Sequence, residues 1–162
     1  QGIPEDTIMR GIYAKGRDNA RTPMQWTSDG GFTTGTPWIQ MNPNTTEINV
    51  EQALNDSSSI FYTYQKLIEL RKQHDIITYG SFHLLFPNDP KLFVYKRQTE
   101  KEEWLVISNF SNSTEKLQWT SCEVDGLSGK VIIANYDSLE IDEQGISVRP
   151  YEAVVLAFER RL

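Results

Sequence analysis

The sequence changes character near Tyr79-Gly80, and that change limits the folds open to it. Beyond this point, short runs rich in β-branched and aromatic residues recur, each closed by turn-forming residues. The runs are 81–86, 92–97, 104–109, 115–119, 130–134, 145–148 and 153–158. Between them lie Pro87-Asn88-Asp89-Pro90, Ser111-Asn112-Ser113, Asp125-Gly126 and Glu143-Gln144-Gly145. Alternation at the strand period is visible in Phe93-Val94-Tyr95-Lys96 and in Trp104-Leu105-Val106-Ile107. The pattern predicts about seven short strands in an all-β antiparallel sandwich over residues 79–162.

Residues 1–78 read differently, as helices and one long irregular segment. Pro4-Glu5-Asp6 before Ile8, Met9, Ile12 and Tyr13 predicts an amphipathic helix stopped at Gly16. From Arg17 to Thr46 the chain is rich in Gly, Thr, Pro and Asn, a length of loop that is usually functional. Its apolar residues Met24, Trp26, Phe32, Trp38, Ile39 and Met41 imply packing against a large surface. Residues 48–54 predict a short helix capped by Asn49, and Ser57 to Ser59 offer caps for the next. In that next helix Ile60, Tyr64, Leu67, Ile68 and Arg71 form one stripe at helical spacing, expected to be buried. Two domains follow, 1–78 and 79–162, adjoining without a Gly/Ser linker.

A net charge of −6 with interspersed signs argues against nucleic acid or an anionic membrane as partner. No apolar run approaches the roughly 20 residues that span a bilayer. The first residues lack the basic start and apolar core of a signal peptide, and there is no initiator Met. The expectation is a chain that begins inside a longer protein or after processing. Cys122 is the single cysteine, so a reducing cytoplasm is expected and no disulfide can form. Against this stand the glycosylation sequons at Asn44, Asn55, Asn109 and Asn112. No His or Cys set has metal-ligand spacing, and no Gly-rich phosphate loop follows a strand. No metal and no cofactor is expected. His74 and His83 read as surface or edge histidines.

Within the irregular segment stands Lys15-Gly16-Arg17-Asp18-Asn19-Ala20-Arg21-Thr22-Pro23-Met24-Gln25-Trp26. It lacks a strand period, and Pro23 would interrupt a helix, so it reads as an ordered loop. Arginine offers a rigid fork of donors, suited to carboxylates or to hydroxyls that carboxylates hold in place. Trp26 offers a flat apolar face. Two readings stand on chemistry alone. One is a structural knot, with Arg17 and Arg21 paired to acids and Trp26 in the core. The other is a sugar-binding loop.

The wording of this loop, with Gly31-Phe32-Thr33-Thr34-Gly35, Pro37-Trp38-Ile39, Asn42-Pro43-Asn44 and Glu47-Ile48-Asn49-Val50, strongly resembles the α-glucosidases of the α-amylase superfamily. The likeness is to the oligo-1,6-glucosidase, dextran glucosidase and trehalose-6-phosphate hydrolase group, and covers nearly the whole chain. It implies a (β/α)8 TIM barrel followed by a β-sandwich, of which this chain is only the end: the last loops and helix of the barrel, then the sandwich. It implies a retaining exo-acting enzyme that cleaves α-1,6-glucosidic bonds of isomalto-oligosaccharides. By resemblance Arg17 binds the outer hydroxyl of the non-reducing-end glucose, while Asp18 and Arg21 support the loop. The catalytic acids of the family lie on earlier barrel strands, one of them in an Asn-His-Asp setting that does not occur here. No catalytic residue is therefore assigned, and the 162-residue chain alone is expected to be inactive. Its expected partners are the rest of the barrel and a small gluco-oligosaccharide. Three rivals remain: a trehalose-6-phosphate hydrolase fragment, a non-catalytic transporter-associated ectodomain, and a free-standing carbohydrate-binding sandwich. For the last, Trp104, Trp119 and Tyr136 could form a stacking strip, although strand aromatics are more often core.

Overall fold

The computed structural model describes residues 2–159. The chain divides into two units, Gln1–Ile68 and Glu69–Leu162. In the first, helix α1 spans Glu5–Lys15, with acids in its first turn and Lys15 in its last. The backbone N–H groups of Thr7 and Ile8 donate to the Pro4 carbonyl, and Gly16 N–H closes the far end on Ile12 O at 2.6 Å. A Cβ at position 16 would stand 2.5 Å from that same oxygen, so the stop requires glycine. A 3₁₀ turn at Asp18–Ala20, a tight Thr27–Gly30 turn and a second 3₁₀ turn at Pro43–Thr46 punctuate the long segment. Helix α2 spans Val50–Asn55. Its cap is the expected one: Asn49 accepts from Gln52 N–H at 2.9 Å and donates to Thr45 O at 2.9 Å.

Helix α3, Ile60–Gln73, forms where the helical spacing placed it, with Arg71 and Lys72 in its last turn. Two details differ from expectation. Ser59 Oγ donates back to Ala53 O, and Ser58 binds Asp56, so these serines organise the preceding turn and not the helix end. The apolar stripe is also uncovered: Ile60 is 85% exposed, and Tyr64, Leu67 and Ile68 are exposed with it. Helical spacing fixes which residues share a face, but the covering surface must come from elsewhere.

The second unit is the antiparallel sandwich. Short helix α4, Asp75–Tyr79, leads into β1 (Ser81–Leu85), β2 (Leu92–Gln98), β3 (Glu102–Asn109) and β4 (Glu115–Gln118). Helix α5, Trp119–Cys122, then precedes β5 (Lys130–Ala134), β6 (Glu140–Ile141), β7 (Gly145–Val148) and β8 (Ala153–Glu159). Five strands form one sheet in the order β1-β2-β3-β8-β5, and three form the other as β4-β7-β6. The two-residue β6 was too short to leave a pattern in the sequence. Trp119, expected in a strand, turns into α5, and Glu123 closes that helix in the left-handed region at φ 54°.

The core follows the strand period. Leu92 and Val94 of β2, Leu105 and Ile107 of β3, and Val154, Leu156 and Phe158 of β8 are buried together with Leu117, Ile146 and Val148 of the smaller sheet. Burying each such side chain contributes about 1.5–3 kcal/mol. Trp104 points to the opposite face of β3 and is only 3% exposed, because His74 packs edge-on against it at 4.8 Å. Arg97 beside it donates to the Ile76 and Ile77 carbonyls, which holds α4 on the sheet. His74 is thus a half-buried packing residue, contrary to the surface reading, whereas His83 is exposed.

Candidate functional site

The loop that begins at Arg17 is built on local hydrogen bonds. Ala20 N–H donates to Arg17 O at 3.0 Å and Arg21 N–H to Asp18 O at 3.0 Å, which winds the Asp18–Ala20 turn. Pro23 then restricts the backbone before Gln25 and Trp26. Arg17, Asp18 and Arg21 are all exposed. Among the described residues none of the three makes a side-chain hydrogen bond or an ion pair. The acids that a self-contained knot would need are therefore not supplied here, and Trp26 is half exposed instead of sealed in a core.

A cleft of about 550 Å³ opens in this unit, lined by Arg21, Met24, Phe32, Trp38 and Ile39 among others. Trp38 is 92% exposed. The floor of the loop is ordered by residues the sequence reading gave no role. Gln25 Nε2 donates to Asn44 Oδ1 at 3.1 Å and to Ile48 O at 2.6 Å. Val50 N–H donates to Gln25 O, Glu51 N–H to Trp26 O, and Trp26 N–H to Gly30 O. Gly30 sits at φ 104° against Met41, where a Cβ would be 2.4 Å from the sulfur. The signal for Gln25 was legible only as its place inside the motif; its partners lie 19 and 23 residues away.

Trp104, Trp119 and Tyr136 do not form an open stacking strip. Trp104 and Trp119 are buried and their indole N–H groups are satisfied by Glu102 and by Asp142 O. The Tyr136 ring carries the Arg149 guanidinium at 4.0 Å, and its hydroxyl donates to Pro150 O. The carboxyl groups with a displaced titration, Asp56, Asp89, Glu115, Asp142 and Glu152, all move downward. Ser58 holds Asp56, the Leu92 and Lys91 amides hold Asp89, Lys91 and Ser113 hold Glu115, and the Gln144 and Gly145 amides hold Asp142. Burial pushes Glu152 up, but its bonds from Arg149 carry it down. Among the described residues no group of three or more His, Cys, Asp and Glu could hold a metal ion. Burial pushes the Cys122 thiol to about 11, which makes it a packing residue and not a nucleophile. Among the described residues no helix is long and apolar enough to cross a membrane.

The described residues thus hold an exposed arginine-bearing loop, a helix with an exposed apolar stripe and a two-sheet antiparallel sandwich. The chain belongs to the α-amylase family. Residues 2–80 match the family's catalytic domain, and residues 92–155 match the alpha-amylase SusG C-terminal domain. Within the family it is similar to the oligo-1,6-glucosidase of Halalkalibacterium halodurans, at 49% identity over 158 residues, 96% of this chain and 28% of that protein. It is also similar to the trehalose-6-phosphate hydrolase of Bacillus subtilis, at 42% identity over 158 residues, again 96% of this chain and 28% of that one. The crystal structure of Bacillus licheniformis trehalose-6-phosphate hydrolase superposes with a TM-score of 0.86 at 42% identity, covering 98% of this chain and 29% of that one. The chain thus spans about 28% of the length of the curated relatives it matches.

Proposed function

We propose that this chain is the C-terminal part of a retaining exo-α-glucosidase that hydrolyses α-1,6 bonds of isomalto-oligosaccharides. Residues 1–78 finish the catalytic barrel and residues 79–162 are the appended sandwich. The observation that carries this reading is Arg17: a guanidinium on an ordered loop, exposed and without a side-chain partner among the described residues, within the stretch that matches the family's catalytic domain. Arg17 binds the outermost hydroxyl of the terminal glucose. A charged donor fixed at that end closes the pocket and favours removal of single glucose units. Asp18 and Arg21 support the loop. The exposed stripes of α1 and α3 accept the rest of the barrel. The partners are that barrel and a small gluco-oligosaccharide, and the setting is cytoplasmic. A retaining glycosidase needs two carboxyl groups about 5 Å apart, and this reading draws them from the rest of the barrel.

The test uses the complete polypeptide. Arg17→Ala should lower kcat/KM for isomaltose by roughly 2–4 kcal/mol in transition-state terms, about 30- to 1,000-fold, with the melting temperature retained. Wild-type kinetics in that variant would remove Arg17 from the site. A second reading, hydrolysis of trehalose 6-phosphate, is supported by the 42% identity to proteins of that name. Comparing kcat/KM for isomaltose and for trehalose 6-phosphate decides between the two.

A further inference from the structure

Among the described residues Arg17 has no side-chain partner of its own, so other bonds hold its loop in place. At the loop's entry the hold is the Gly16 N–H on Ile12 O at 2.6 Å. At its exit the hold is a side chain. Both N–H groups of the Gln25 amide are spent on a different stretch of chain, one on Asn44 Oδ1 and one on Ile48 O. The receiving stretch is itself fixed: Asn44 N–H donates to Asn42 Oδ1, Glu47 and Ile48 N–H donate to Asn44 O, and buried Asn49 caps α2. The adjacent backbone repeats the tie through Val50 and Glu51. Between this rivet and Arg17 lie seven residues, among them the 3₁₀ turn and Pro23, whose ring fixes one torsion.

We propose that Gln25 is a positioning residue: its two-pronged amide clamp onto Asn44 and Ile48 sets the register of the loop, and so the place of the Arg17 guanidinium against the sugar's terminal hydroxyl. This rests on the reading of Arg17 given above. It assigns to Gln25 no contact with substrate.

The experiment is a double-mutant cycle in the complete polypeptide, with kcat/KM for a nitrophenyl α-glucoside and for its 4-deoxy analogue, and the melting temperature followed alongside. Gln25→Met keeps the length of the side chain and removes both donors. Alone it should lower kcat/KM for the parent glucoside about 10- to 50-fold, a loss of the order expected when a charged contact is misplaced. In an Arg17→Ala background it should cost less than about twofold, because contacts that act as one unit are not additive. On the 4-deoxy substrate, which lacks the hydroxyl, the penalty should shrink to the same small size. Asn44→Asp keeps the acceptor oxygen and should behave as wild type, whereas Asn44→Ala should show part of the Gln25 effect with the same dependence on Arg17. The Asn44 pair carries the test should Gln25→Met fail to fold. Losses that multiply with Arg17→Ala, or that are equal on both substrates, would give Gln25 a purely structural role and overturn the inference while leaving Arg17 in place. Unaltered kinetics in Arg17→Ala itself would sink the reading of the site first, and the inference with it.

Discussion

Replacing Glu152 with Gln is the sharpest test of how the sandwich is held together. The Glu152 side chain is 0% exposed and takes three hydrogen bonds from one residue: Arg149 N–H at 2.7 Å, Nε at 3.1 Å and Nη2 at 2.8 Å. The same arginine lies over Tyr136 and donates to Ser138 O. Gln keeps the volume and one acceptor, but its NH₂ must then face a guanidinium donor. Breaking a buried ion pair typically costs about 3–5 kcal/mol. Arg149 keeps 22% of its side chain exposed and can recover some hydration, so the expected loss is nearer 2–3 kcal/mol. For a unit of this size that lowers the melting temperature by roughly 10–20 °C. The pH dependence adds an independent reading. Glu152 titrates below its ordinary 4.5, so its stabilisation is complete above that value and is lost as pH falls through the native pKa. Asp89, Glu115 and Asp142 are also displaced downward, but they fall alike in both proteins and cancel in the difference. The gap between wild type and variant, measured by thermal unfolding followed by circular dichroism, should be constant from about pH 5 to 7 and narrow as pH falls below 4.5 through the native pKa of Glu152. A gap under about 1 kcal/mol at pH 7, or one that persists unchanged into acid, would refute the argument.

Three further outcomes are expected. Asn109 is 3% exposed and its amide N–H groups serve the Ser113, Val148 and Arg149 carbonyls, so Asn109→Asp, which sets acceptor against acceptor, should cost about 2–4 kcal/mol in urea unfolding. A loss below about 1 kcal/mol would contradict that, and the same burial makes this sequon unfit for a glycan in the folded protein. Cys122, buried and with its thiol near 11, should react with a disulfide reagent at pH 8 only as the chain unfolds; complete labelling of native protein within minutes would be inconsistent with its place in the core. At Gly126 a Cβ would lie 2.0 Å from the buried Trp119 ring, so Gly126→Ala should destabilise the sandwich by about 1–3 kcal/mol and alter tryptophan fluorescence; an unchanged spectrum and melting temperature would show that the ring can step aside.

The sequence by itself determined what local chemistry can determine. The ends of α1, the Asn49 cap and the strands expected at 92–97, 130–134 and 145–148, the first of which runs one residue further, depend on spacing and on neighbours a few residues away. The family was legible in the wording of the loop from Lys15 to Trp26. Only the tertiary structure decided which apolar faces meet a partner. Trp104 is sealed by half-buried His74 from a distant position, while the α3 stripe, equally apolar in pattern, stays open. It also decided the sheet order, which joins β8 between β3 and β5, and the Gln25 clamp onto Asn44 and Ile48. Periodicity states that a face is apolar, but burial and long-range hydrogen bonds depend on what the rest of the chain brings to that face.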